Sequence, residues 1–170
     1  MLMTPGRSMI SIMMKALSCL LVCIVLISGC AAAEQQILLP GGRYVIDVPD
    51  WMEYSDPVDG DAGMEAYISD DLEIDFVSYE KAEAVKLGMP ETLKETAKQQ
   101  REEGQKTQIR KVNGIEMLVF RTEDEEDGTP GIVYVFEDGE LIVEINFWYA
   151  TQEAADLTKT IMESIRETVD

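Results

Sequence analysis

Histidine is absent from this 170-residue chain, and all three cysteines fall within its first 30 residues. Without imidazole there is no histidine general base, no Ser-His-Asp triad and almost no route to a Cys/His zinc centre. Positive charge is scarce. Against 33 Asp and Glu stand 14 Lys and Arg, a formal net charge of −19. Nucleic acid is a poor partner for such a chain, because phosphate contacts need Lys and Arg. An anionic membrane surface is equally poor, whereas solubility outside the cytoplasm explains the charge simply. The leading hydrophobic core is short too. The apolar core ALSCLLVCIVLI at 16–27 is 12 residues, short of the roughly 20 that span a bilayer as a helix.

That short core follows Lys15 and Arg7 and ends in small residues, the make-up of a secretory signal peptide. An uncleaved anchor running on through Ala33 is the rival reading. The step Ile27-Ser28-Gly29-Cys30 separates them, because it resembles the lipobox of bacterial lipoproteins: an aliphatic residue, two small ones, then cysteine. The resemblance implies a lipid on the thiol of Cys30 and cleavage between Gly29 and Cys30. Small side chains let a peptidase reach the backbone, and only cysteine can carry a thioether lipid. Two or more acyl chains anchor stably where one does not, at about 0.8 kcal/mol per buried methylene. Met1, Met3, Met9, Met13 and Met14 are all usable starts, so the first dozen residues receive no structural reading. The expected organisation is a signal peptide over 1–29, a lipidated terminus and tether over 30–37, and one domain over 38–170. Its expected place is the outer side of a membrane, at the cell surface or in a periplasm.

With the signal removed, Cys19 and Cys23 are gone and Cys30 is blocked, so neither a disulfide nor a thiolate nucleophile is available. Two bases and no acids precede Cys30, which leaves 12 bases against 33 acids, or −21. The charge is uneven. Lys94, Lys98, Arg101, Lys106, Arg110 and Lys111 lie in one 18-residue window with three acids, giving +3 there and −24 elsewhere. Such an island can dock an envelope protein partner. Ordinary helix electrostatics, with cations toward the C-terminus, would also produce it.

Structure is expected to begin near Leu38. RYVIDVP (43–49) alternates as a strand stopped by Pro49, and YSDPVDGDAG (54–63) reads as a loop. Strands at 65–69 and 72–79 flank Asp70-Asp71. MPETLKETAKQQREEG (89–104) reads as a helix, with Pro90 in its first turn and Gly104 as its stop. Its apolar face is only Leu93 and Ala97, which predicts loose packing at an edge. TQIRKV and IEMLVFR flank Asn113-Gly114, a strong hairpin signal. GIVYVFE (131–137) and LIVEINFWYA (141–150) flank Asp138-Gly139-Glu140. The last of these is apolar on both faces and should be central. Thr151 caps a final helix with Leu157, Ile161 and Ile165 as its buried stripe.

The order βββαββββα predicts an α+β fold, a largely antiparallel seven-stranded sheet with two helices. A strand ending in VPDW, a long helix, NG and DG hairpins and a C-terminal helix with I-x3-I spacing together resemble the PsbP-like α/β/α sandwich. DcrB-type envelope lipoproteins and a Ran-binding nuclear protein share that fold. The resemblance covers about residues 38–168. It implies a protein that binds or assists other proteins, and it brings no catalytic residues.

Four constellations invite chemistry. Asp56, Asp59, Asp61 and Glu65 surround a Gly-rich loop, and Glu123 to Asp127 is an acidic run. Both could attract calcium, yet neither has EF-hand order, and polar turns explain them. Glu73, Asp75 and Glu144 could act as paired carboxylates, although outward acids on a half-buried sheet are ordinary. Trp51, Trp148 and Tyr149 could line a binding surface, with Trp148 on the same strand face as Glu144 and Asn146, or fill a core. The expectation is a non-catalytic, partner-binding lipoprotein with no cofactor and no metal. A calcium-dependent binding module and a carboxylate hydrolase are the alternatives.

Overall fold

A computed structural model of the chain describes residues 33–55, 65–124 and 127–168. The signal segment with Gly29 and Cys30 lies outside the described residues, as do Asp56, Asp59, Asp61, Glu125 and Glu126 of the acidic loops. The main sheet has seven strands: β3 (Glu53–Ser55), β4 (Glu65–Ile68), β5 (Leu72–Glu80), β6 (Thr107–Val112), β7 (Ile115–Glu123), β8 (Pro130–Asp138) and β9 (Leu141–Tyr149). Their order is β3-β4-β5-β9-β8-β7-β6, with every neighbouring pair antiparallel. A second sheet joins β1 (Glu34–Leu38), β2 (Tyr44–Pro49) and β10 (Arg166–Glu167) in the order β1-β2-β10. The helices are α1 (Lys81–Leu87), α2 (Leu93–Glu102) and α3 (Gln152–Glu163). The fold is α+β with a largely antiparallel seven-stranded sheet, as the strand and hairpin signals predict.

Alternation along the strands builds a core on each face of the main sheet. On one face Leu72, Ile74 and Phe76 of β5, Val143, Ile145 and Phe147 of β9, and Tyr134 and Phe136 of β8 meet Ile46 and Val48 of β2 and Ile161 of α3. On the other face Leu118, Val133, Val135 and Ile142 meet Leu93 and Ala97 of α2. β9 is the fourth strand of seven, which explains its apolar residues on both faces. Each large side chain buried this way contributes about 1.5–3 kcal/mol.

The Asn113-Gly114 turn does more than close a hairpin. Asn113 sits at φ 46° and Gly114 at φ 86°, the left-handed values a two-residue hairpin turn requires. The Asn113 Nδ2 donates to the carbonyls of Glu163 and Ile165 at 2.6 and 3.0 Å. The turn thus satisfies carbonyls at the C-terminal end of α3. Just beyond, Arg166 forms a two-pronged pair with Asp47 of β2 at 2.7 and 2.8 Å.

Four expectations are corrected. Residues 34–37 are not tether but most of strand β1. Its EQQIL sequence hides the strand because only Ile37 is buried, and its hold comes from polar groups. Backbone pairing with β2 is supplemented by Gln35 Nε2, which donates to Pro49 O at 3.3 Å and Met52 O at 2.9 Å. Second, the strand at 43–49 belongs to the small sheet, and the three-residue β3 takes the seventh place in the main one. Third, there are three helices rather than two among the described residues. KAEAVKL is too short to show helical periodicity, and it buries only Ala84. Fourth, α2 begins at Leu93 with Thr92 as its cap, so Pro90 precedes the helix. It does lie over one edge of the main sheet, against β6, the last strand, and its neighbours β7 and β8. Glu137 of β8 pins its start by accepting from Leu93 N at 3.2 Å, and Lys81 holds Glu137 at 2.7 Å.

A candidate binding cleft and a separate acidic face

β2 ends at Pro49, whose carbonyl accepts from Met52 N at 3.1 Å in a tight turn. Met52 is 2% exposed and anchors that turn, which leaves its neighbour Trp51 outside at 49%. Two residues on, Tyr54 is 51% exposed and stands edge-on to Tyr67, with ring centroids 5.6 Å apart. Across the β4–β5 turn, Ser69 closes on Leu72 through its backbone N–H (2.9 Å) and its hydroxyl (3.1 Å). That closure leaves Asp70 and Asp71 at the turn's tip. Ala150 N donates to Asp71 O at 3.0 Å, and Thr151 then caps α3 by accepting from Ala154 N at 3.2 Å.

These segments enclose an open cleft of about 840 Å³. Its walls include the aromatic rings of Trp51 and Tyr54 and the side chains of Ile68 and Leu157. Its charged lining residues are Glu53, Asp70, Asp71 and Glu153, and no lysine or arginine is among the described residues that line it. The arrangement suits an apolar side chain carried beside a positive charge.

A separate acidic group lies on the α2 side of the sheet, on β5 and β9. Asp75 is 3% exposed; its Oδ2 accepts from Trp148 Nε1 at 2.8 Å, while its Oδ1 has no partner among the described residues. Burial pushes the Asp75 carboxyl up to about 6; the indole N–H opposes this, and neighbouring Glu73 adds to it. On the same face, Glu144 accepts from the Tyr79 hydroxyl at 3.1 Å. Burial raises the carboxyl of Glu144, and both burial and Glu144 raise the phenol of Tyr79. The Trp148 indole has room only because residue 131 is glycine. A Cβ there would stand 2.8 Å from its Cε3 and Cζ3.

The cations of the 94–111 window do not form one island. Lys94, Lys98 and Arg101 follow one another on the exposed side of α2, where Lys98 approaches Glu102 at 3.8 Å and Arg101 Nε donates to Thr107 Oγ1 at 2.7 Å. Lys106 is exposed in the link to β6. Lys111 lies on the α2 side of β6, whereas Arg110 lies on the other. There Arg110 donates to the Tyr134 hydroxyl at 3.2 Å and stacks 5.7 Å from its ring centre. Strand alternation divides neighbours that a linear charge count adds together. Trp148 joins none of them, because its partner is Asp75. Glu73, Asp75 and Glu144 do share one sheet face, but with Trp148 and Tyr79 as donors. Trp51 is in the cleft. Tyr54, Ile68, Asp70, Asp71 and Glu153 are there too, a grouping with no linear signal because its segments come from opposite ends of the chain.

Neither a protein-family model nor a curated protein sequence matches the chain. Solved structures do. Cyanobacterial PsbP (CyanoP) from Synechocystis sp. PCC 6803 is similar with a TM-score of 0.53 and 11% identity, over 82% of this chain and 96% of that one. A protein from Bacteroides thetaiotaomicron VPI-5482 is similar with a TM-score of 0.54 and 12% identity, over 80% of this chain. The match spans about half, 49%, of the Bacteroides chain. At these identities the likeness establishes the fold, which is PsbP-like.

Proposed function

We propose that this protein is a lipoprotein of the cell envelope, anchored through Cys30 and facing away from the cytoplasm, which binds a protein partner and catalyses nothing. One observation carries the anchoring: the lipobox cysteine stands four residues before the first strand, at Glu34. A fully extended chain gains at most about 3.3–3.6 Å per residue, so lipid on Cys30 holds this domain within about 14 Å of the bilayer. Among the described residues no helix is long and apolar enough to cross a membrane.

Binding, rather than turnover, is supported by the chemistry of the side chains. The chain has no histidine, and its last cysteine is the lipidated one. The carboxyls raised by burial, Asp75 and Glu144, are held by Trp148 and Tyr79 and do not line the cleft. What the cleft offers is exposed aromatic surface, the feature that anchors protein partners.

Cys30→Ser tests the anchor. Cells fed an alkyne-bearing fatty acid should label the wild-type protein and not the variant, and the membrane-bound mature form should be missing from cells that make the variant. A Cys30→Ser protein that still takes up label refutes the anchor.

A further inference from the structure

The cleft between β3, the β4–β5 turn and α3 has features that define its occupant. We infer that it binds an extended polypeptide segment in which lysine or arginine alternates with apolar side chains. This deepens the partner-binding reading and rests on it. Three observations converge. The charges lining the cleft are four carboxylates, Glu53, Asp70, Asp71 and Glu153, and none of them is in an ion pair between described residues. The same lining holds two half-exposed aromatic residues, Trp51 at 49% and Tyr54 at 51%, and Ile68 at 36%. The third is the edge. All three residues of β3 line the cleft, β3 is the last strand of its sheet, and no strand lies beyond it among the described residues.

Each feature selects part of the ligand. Unpaired carboxylates select cations by complementarity, which speeds encounter and rejects like-charged partners. Exposed indole and phenol faces take an apolar side chain, or a guanidinium or ammonium by cation–π attraction. An edge strand offers a row of backbone N–H and C=O groups that an added strand can pair with. An extended chain sends successive side chains to opposite sides, so one that alternates the two kinds presents its cations together on one side and its apolar groups on the other. The cleft volume of about 840 Å³ lies within the roughly 300–1,000 Å³ common for ligand sites.

The test uses the full lipidated chain in detergent and a fluorescein-labelled nonapeptide alternating lysine and valine, followed by fluorescence anisotropy. The expected result is saturable binding that a glutamate–valine peptide does not show. Trp51→Ala with Tyr54→Ala should weaken it at least tenfold, and so should Asp70→Asn, Asp71→Asn and Glu153→Gln combined. Neutralising three remote acids, Glu83→Gln, Glu116→Gln and Glu140→Gln, should change it less than twofold. Equal weakening by the remote set, with no effect of the aromatic pair, would show diffuse attraction to an acidic body and overturn the inference. A second measurement separates this inference from the reading beneath it. A photo-crosslinking residue placed at Tyr54 or at Lys98 in cells should give partner adducts from Tyr54. Adducts from Lys98 alone overturn the cleft while keeping a partner. Adducts from neither overturn both.

Discussion

Asp75 shows at the level of one side chain how burial becomes measurable. Its folded-state value of about 6 stands above the ordinary 3.8, so between those values the folded chain holds a proton that the unfolded chain releases. The stability tied to that proton is fully present below about pH 3.8 and is lost as pH rises through about 6. Asp75→Asn keeps a carbonyl to accept from Trp148 and removes the titration. The difference in urea midpoint between the two proteins should therefore change between pH 4 and pH 7, in the direction of the wild type losing ground as pH rises. A constant difference across that range would contradict the assignment. Glu137 behaves oppositely, since the Lys81 hydrogen bond holds its carboxyl below the usual range and its contribution fades as pH falls. Gly131 supplies a second test. Gly131→Ala would drive a Cβ into the Trp148 ring, break the indole bond to Asp75, and cost about 1–3 kcal/mol by denaturant melting. Alternation along β5 makes the shared face of Glu73 and Asp75 readable from sequence. The depth of Asp75 is not, because it depends on what β4 and β9 place beside it.

Among the elements, the α3–β10 end is held by a hairpin turn that is distant in sequence. Asn113→Gly should retain the left-handed turn and lose the two bonds to the carbonyls of Glu163 and Ile165, at about 0.5–1.5 kcal/mol for each net bond. Asn113→Ala should lose those bonds and add about 1–2 kcal/mol of left-handed strain. Thermal or urea melts that rank the alanine variant above the glycine one would contradict this account of the turn. Most elements were legible before the structure: the NG and DG hairpins, β5, β9 and the capped α3 all carry periodic or turn signals. The elements that were not legible are short or polar. β1 is EQQIL at a sheet edge with one buried side chain, β3 has three residues, and α1 has seven. None is long enough to declare a period, and each is held by tertiary contacts. The cations of α2 were legible as a charge cluster but not as a surface. Since Lys94, Lys98 and Arg101 are exposed, reversing all three to Glu should change folding stability by no more than about 0.5 kcal/mol per site, as urea melts would show. Larger losses would place them in packing rather than on a solvated face.

For the whole molecule, one PsbP-like domain carries an aromatic cleft with an acidic lining. The α+β class and the largely antiparallel sheet were predictable from the strand and hairpin signals. The cleft was not, because Trp51, Asp70 and Glu153 meet only when β2, the β4–β5 turn and α3 come together. Anchoring is the claim on which the others depend, since it decides which partners the cleft can meet. The most direct test is intact-mass and peptide mass spectrometry of the protein extracted from membranes of its own cells. The account predicts a mature chain that starts at Cys30, with a diacylglyceryl group on its sulfur. A mature chain that retains residues before Cys30, or one that starts elsewhere with an unmodified Cys30, would contradict it.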